Sequence, residues 1–112
     1  MQHHAINYVE FAGKDLEKIK QFYIEVFGWT FTDYGPSYAA FGNSYLEGGF
    51  STEAMPGKGP LVILYSNNLA ATKDSILAHG GQLAKDIYSF PGGRRFHFMD
   101  PSGNELAVWS DY

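Results

Sequence analysis

The chain has 112 residues, a net charge of −4 and no cysteine; this points to one domain over 1–112 and excludes disulfides, thiolate metal sites and cysteine nucleophiles. A sequence pI of about 5.4 leaves no basic footprint, so nucleic acid is not an expected partner. Neither a membrane-length apolar run nor a signal peptide is visible, since "MQHHAINYVEF" lacks both a basic and a long apolar segment, and the expected location is cytoplasmic, away from the membrane.

Residues 5–11 alternate as a strand, with Ile6, Tyr8 and Glu10 on one face and Asn7, Val9 and Phe11 on the other. "DLEKIKQFYIEVFGW" follows. Leu16, Ile19, Phe22, Tyr23 and Val26 recur there at helical spacing, Asp15 can cap the start and Gly28 can take the left-handed position past the end. Three short strands are expected near 29–33, 38–41 and 44–50, punctuated by Gly35-Pro36 and Gly42-Asn43. "STEAMPGKGP" reads as a linker between a first module, about 1–51, and a second, about 60–112. The second opens with a strand at 61–66. Asn68 then caps a helix reaching about Ala78, with Leu69, Thr72 and Ile76 inward and Gly80-Gly81 at its end. Strands near 82–86, 94–99 and 105–109 complete the chain.

The order strand, helix, three strands therefore occurs twice. Shifted by 53 positions, "DLEKIKQFYIEVFGWTFTD" lies on "NLAATKDSILAHGGQLAKD" without a gap. Leu16 then meets Leu69, Lys20 meets Lys73, Gly28 meets Gly81 and Asp33 meets Asp86.

With "DLEKIKQFYIEVFGW", the Gly80-Gly81 helix end and "FMDPSGNELAVW" in this order, the chain resembles the vicinal oxygen chelate superfamily. That superfamily includes the glyoxalases (lactoylglutathione lyases), the bleomycin-resistance proteins and the extradiol dioxygenases. The resemblance covers essentially the whole chain. It implies an α+β fold of two βαβββ modules, forming an open, cupped mixed sheet with the helices outside. It also implies a homodimer, and a charged fraction of only 18% fits a surface that carries an interface.

In metal-bearing members, the resemblance implies, four cup-facing side chains hold one divalent ion. A His or Gln comes from each module's first strand, and often a Glu from each last strand. Carried over to this chain, those positions fall on Tyr8, Leu61 and Ala107, with the fourth inside Glu47-Gly48-Gly49. A phenol with a pKa near ~10 is a poor ligand at neutral pH. Leu61 and Ala107 have no donor, which leaves Glu47 alone. A catalytic zinc needs about three protein ligands, so the expectation is no metal ligand set and no cofactor. A displaced set of Glu10, Glu47, His97 and Glu105 stays open, with His3 and His4 as further donors unless they are a frayed terminus. His79 reads as a cap-side residue at the negative end of the second helix.

Alternation puts Ile6, Tyr8, Glu10, Leu61, Ile63, Tyr65, Ala107 and Trp109 on the cup face. Val9, Phe11, Val62, Leu64, Leu106 and Val108 go under the helices, and His97 joins the cup if Phe96 and Phe98 face the helix. "PGGRR", 91–95, is either a hinge bearing an arginine clamp or an ordinary hairpin turn. No nucleophile elbow or comparable constellation is visible. The expected ligand-binding set is Tyr8, Glu10, Leu61, Tyr65, Arg95, His97, Glu105, Ala107 and Trp109. The expected function is metal-free binding of a small, partly apolar or aromatic molecule. The alternatives are a divalent-metal lyase, isomerase or dioxygenase with rearranged ligands, and an interaction module with a filled cup.

Overall fold

The strand–helix–three-strand order occurs twice in a computed structural model that describes residues 1–55 and 59–112. The chain groups into two units, 8–60 and 1–7 with 61–112. The centre of the predicted linker, Pro56-Gly57-Lys58, lies outside the described residues.

The first module contains β1 (Ile6–Ala12), α1 (Leu16–Phe27), β2 (Thr30–Asp33), β3 (Tyr38–Gly42) and β4 (Glu47–Ser51). Its strands pair in the order β2-β3-β4-β1, with β1 and β4 parallel and the others antiparallel. The Asp15 carboxylate caps α1 by accepting from Lys18 N, and Gly28 ends it in the left-handed region at φ 73°. Tyr23 of α1 packs on Phe50 (ring centroids 5.3 Å) and Trp29 (4.6 Å), and Phe11 stacks on Phe50 at 5.4 Å, so this core is aromatic. The apolar stripe of α1 is wider than the surface that covers it. Tyr23 and Ile19 are half-buried, but Phe22 and Val26 are 53% and 57% exposed.

The second module contains β5 (Leu61–Tyr65), α2 (Leu69–Ala78), β6 (Gln82–Phe90), β7 (Gly93–Met99) and β8 (Glu105–Ser110), paired β5-β8-β7-β6. Only β5 and β8 run parallel. Asn68 caps α2 as predicted, accepting from Ala71 N. Leu69, Phe96 and Val108 are buried together, with Ile76, Ile87 and Phe98 packed against them. This mixed α+β arrangement is the predicted one.

Two of the four identities of the internal repeat, the lysines and the aspartates, have a shared structural meaning. Lys20 pairs with Asp33 at 2.9 Å, and Lys73 pairs with Asp86 at 2.7 Å. Each module thus ties its helix to the strand that follows it with the same ion pair. No helix of the described residues is long and apolar enough to cross a membrane.

Candidate functional site

In the second unit, Phe96, Phe98 and Val108 face α2. Strand alternation therefore sends His97, Arg95, Ala107, Trp109 and Glu105 to the opposite, helix-free face. Register places Ile63, Ala107 and His97 in one row and Tyr65, Trp109 and Arg95 in the next. The "DPSGN" turn sets that register. Asp100 Oδ2 accepts from the Asn104 side-chain amide (2.9 Å) and Oδ1 from Asn104 N (2.9 Å) and Ser102 N (2.8 Å), and these bonds hold its carboxyl below the usual carboxylate range.

Four side chains on this face form a hydrogen-bond chain. His97 Nδ1 lies 2.9 Å from Glu105 Oε2, His97 Nε2 lies 2.9 Å from the Tyr88 hydroxyl, and Arg95 Nε donates to that hydroxyl. The donor order follows from what each group can do. Arg95 only donates, so the Tyr88 oxygen accepts from it, and the Tyr88 proton goes to His97 Nε2. The imidazole then carries its own proton on Nδ1 and gives it to Glu105. Burial lowers the His97 pKa; Glu105 opposes this, while the charges of Arg95 and Lys85 add to it. A neutral imidazole with one fixed tautomer is the result.

Beside this chain stand three aromatic rings. Trp109 lies 5.3 Å from Tyr65 and 6.2 Å from Phe90, and its indole N–H donates to Asn7 Oδ1 at 3.1 Å. The Tyr65 hydroxyl donates to Asp111 at 2.6 Å, which pushes the phenol up to about 12.

The structure thus brings Arg95, His97, Glu105, Tyr65, Ala107 and Trp109 onto one face. Leu61 joins them at its edge, opposite Glu105 in the extended register. Two participants, Tyr88 and Phe90, were missed because the predicted strand at 82–86 stopped short of them. β6 runs on to Phe90 and pairs Tyr88 with Arg95 across the turn. Continued alternation through "IYSF" into "PGG" is the signal for that longer hairpin.

In the first unit, Tyr8 and Glu10 share the face opposite α1 with Tyr38, another residue the sequence reading missed. The Tyr8 and Tyr38 hydroxyls are 2.6 Å apart. Burial raises the Tyr38 pKa, and the Glu10 carboxylate and the hydrogen bond shared with Tyr8 raise it further. Gly49, paired with Glu10, makes room for the Tyr38 ring: a Cβ there would sit 2.5 Å from its hydroxyl.

Several expectations need correction. His3 and His4 are not frayed. Asn67 N donates to His3 Nδ1 at 3.0 Å, His4 Nε2 lies 2.9 Å from Thr72 Oγ1, and His4 N donates to Tyr65 O at 2.7 Å. "PGGRR" is a hairpin turn and not a hinge. Gly93 packs so closely that a Cβ would meet Ser110 O at 1.9 Å, and Arg94 donates to Tyr112 O at 3.0 Å. His79 does cap α2, with Nδ1 2.8 Å from Ser75 O. Two surface hollows of about 580 and 530 Å³ in the first unit are lined by Glu17, Lys20 and Asp33 and take in none of the expected site residues.

The side chains present do not fit the divalent ion implied by the resemblance. Leu61 and Ala107 have no donor, and Tyr8 is engaged by Tyr38. Of the displaced set, His97 and Glu105 pair with each other. Among the described residues, no three His, Asp or Glu side chains group so as to hold a metal ion.

Comparisons with known proteins follow the same lines. The family model of the Glyoxalase/Bleomycin resistance protein/Dioxygenase superfamily matches residues 5–108. No curated protein matches the chain. Methylmalonyl-CoA epimerase from Mycobacterium tuberculosis is similar in fold, with a TM-score of 0.75 at 13% identity, covering 94% of this chain and 86% of that one. A superfamily member from Vibrio splendidus 12B01 gives 0.70 at 14% identity, over 96% and 98%. The Mn(II)-bound glyoxalase from Novosphingobium aromaticivorans gives 0.71 at 23% identity over 98% of this chain, which spans only 40% of that one. With its internally repeated βαβββ order and a family match over nearly its whole length, the chain belongs to the glyoxalase/bleomycin resistance protein/dioxygenase superfamily.

Proposed function

We propose that this protein binds a small, partly apolar or aromatic molecule on the helix-free face of its second unit, without a divalent metal. The observation that carries this reading is Trp109. Its ring is half-buried, fixed by its hydrogen bond to Asn7, and set between Tyr65 and Phe90 beside the Arg95–Tyr88–His97–Glu105 chain. Aromatic surface with a few convergent polar groups is what small-molecule sites are made of. The metal-free form of the reading is supported by the donor set, with Leu61 and Ala107 at two inherited positions. The protein acts as a homodimer in this reading, for which the exposed Phe22, Val26 and Phe27 of α1 supply apolar surface.

Fluorescence tests the binding. In a Trp29→Phe background Trp109 is the one remaining indole. Chelator-treated protein is titrated with a panel of benzoic, indolic and naphtholic compounds, with thermal unfolding in parallel. At least one compound changes Trp109 emission and raises Tm, and a Trp109→Leu substitution removes the effect. A panel that moves neither signal refutes binding, and binding that appears only after a divalent metal is added refutes the metal-free form.

A further inference from the structure

Tyr88 reaches the helix-free face of the second unit through a pair of bulges. Leu83 to Tyr88 is five steps along β6, whereas their partners Phe98 to Arg95 span three along β7, so β6 carries two extra residues. Lys85 and Tyr88, three apart, would point to opposite faces of a regular strand. The bulges bring both to the His97 side, with Lys85 Nζ 4.3 Å from the centre of the Tyr88 ring.

The groups then stand in the order of an activated nucleophile: a hydroxyl within hydrogen-bond reach of a base, and a third group that orients the base. Tyr88 Oη and His97 Nε2 are 2.9 Å apart, and so are His97 Nδ1 and Glu105 Oε2. The imidazole is neutral, its Nε2 accepts the Tyr88 proton, and the Glu105 carboxylate is placed to stabilise the imidazolium that proton transfer creates. Arg95 Nε donates to the same Tyr88 oxygen, so one N–H already sits where negative charge develops as the proton leaves. Tyr88 is only half-buried.

We infer that Tyr88 is the nucleophile of an acyl-transfer site for aryl esters, with His97 as its base and Glu105 as the positioning residue behind that base. This goes beyond the binding reading above. Tyr88 Oη attacks the ester carbonyl carbon as its proton passes to His97 Nε2. The bond from that carbon to the aryl oxygen breaks, the leaving phenol takes the proton from His97, and the acyl group stays on Tyr88. Water then gives a proton to His97 Nε2 and attacks the acyl carbon; the carboxylic acid departs and Tyr88 recovers its proton. The nucleophile itself selects the substrate class. Transfer between two phenols is nearly balanced, whereas an adduct with an alkyl ester expels the tyrosine, the better leaving group. An aryl ester also suits the Trp109 and Phe90 rings.

The test uses the full chain and benzenesulfonyl fluoride, which leaves a stable sulfonate on a reactive tyrosine and is mapped by peptide mass spectrometry. Tyr45 is fully exposed and Tyr34 is 63% exposed, so both report reactivity due to exposure alone. Tyr88 is labelled at least about tenfold faster than either. His97→Gln removes that advantage. Glu105 is half-exposed, so Glu105→Gln folds even if the His97 variant does not. It lowers the maximal labelling rate of Tyr88 at least about threefold, leaving the half-saturating probe concentration and the Tyr45 rate unchanged. With para-nitrophenyl acetate the wild type releases nitrophenolate catalytically, Tyr88→Phe does not, and ethyl acetate is not cleaved. Labelling of Tyr45 or Tyr34 as fast as Tyr88, a Tyr88 rate indifferent to Glu105→Gln, or unchanged nitrophenolate release by Tyr88→Phe overturns the inference and leaves the binding reading standing.

Discussion

Tyr88→Phe isolates one hydroxyl on which the polar chain of the second unit turns. That oxygen accepts from Arg95, and its proton goes to His97 Nε2 at 2.9 Å. His97 is only 8% exposed, so water does not replace the lost donor, and a buried acceptor without a partner costs about 1–3 kcal/mol. Arg95 is half-buried and recovers part of its loss from solvent. For a chain of this length that cost lowers Tm by roughly 4–15 °C. Two measurements check the reasoning. Thermal unfolding of the variant gives the magnitude, and long-range ¹⁵N NMR of His97 in the wild type gives the tautomer, with a protonated Nδ1 and an acceptor-type Nε2. A double-mutant cycle with His97→Phe then shows coupling of about 0.5–3 kcal/mol between the two positions. A Tm drop below about 1 °C, or a wild-type imidazole protonated at Nε2, refutes the donor order.

Other expectations follow from the same geometry. Gly49→Ala drives a methyl to within 2.5 Å of the Tyr38 hydroxyl and 2.6 Å of its ring. It displaces the ring, breaks the Tyr8–Tyr38 bond and costs about 1–3 kcal/mol in urea unfolding; an unchanged midpoint refutes the close packing. The His97 pKa is lowered in the folded state, so below an unfolded value of about 6.5 the unfolded chain binds the extra proton. Stability therefore falls as pH drops through that region, and His97→Asn flattens that part of the stability–pH curve. The Tyr65 phenol is pushed up to about 12, so its contribution is complete below about 10 and is lost as pH rises toward the folded value. Absorbance titration of wild type against Tyr65→Phe identifies it, and a phenol titrating near about 10 contradicts its bond to Asp111.

Local signals made the scaffold legible. Capping by Asp15 and Asn68, the left-handed Gly28 and the Asp100 turn act within a few residues, and each stands where its chemistry places it. The faces of β5, β7 and β8 followed from alternation. What escaped was set by contacts distant in sequence or by broken alternation. Tyr38 becomes a site residue only because Gly49, on another strand, leaves room for its ring. Tyr88 and Lys85 share a face only because β6 holds two extra residues. The N-terminal histidines find their partners 64 and 68 residues away, beyond any local pattern.

The internal repeat separates what the two modules keep from what they change. The shift that aligns Lys20 with Lys73 and Asp33 with Asp86 preserves a helix-to-strand ion pair in both. These pairs are exposed and contribute little energy one by one, but they hold the helix and the next strand in one relation. The same shift puts Tyr8 on Leu61, a phenol against a side chain with no donor at all. The helix-free faces of the two modules thus differ in chemistry. One carries a phenol–phenol–carboxylate cluster over Gly49, the other an Arg–Tyr–His–Glu chain beside three aromatic rings. Side chains free to vary on a fixed frame are those whose chemistry a ligand would read. The superfamily places this frame, and in the binding reading proposed above Trp109 and the Tyr88–His97–Glu105 chain are the side chains that a ligand would meet.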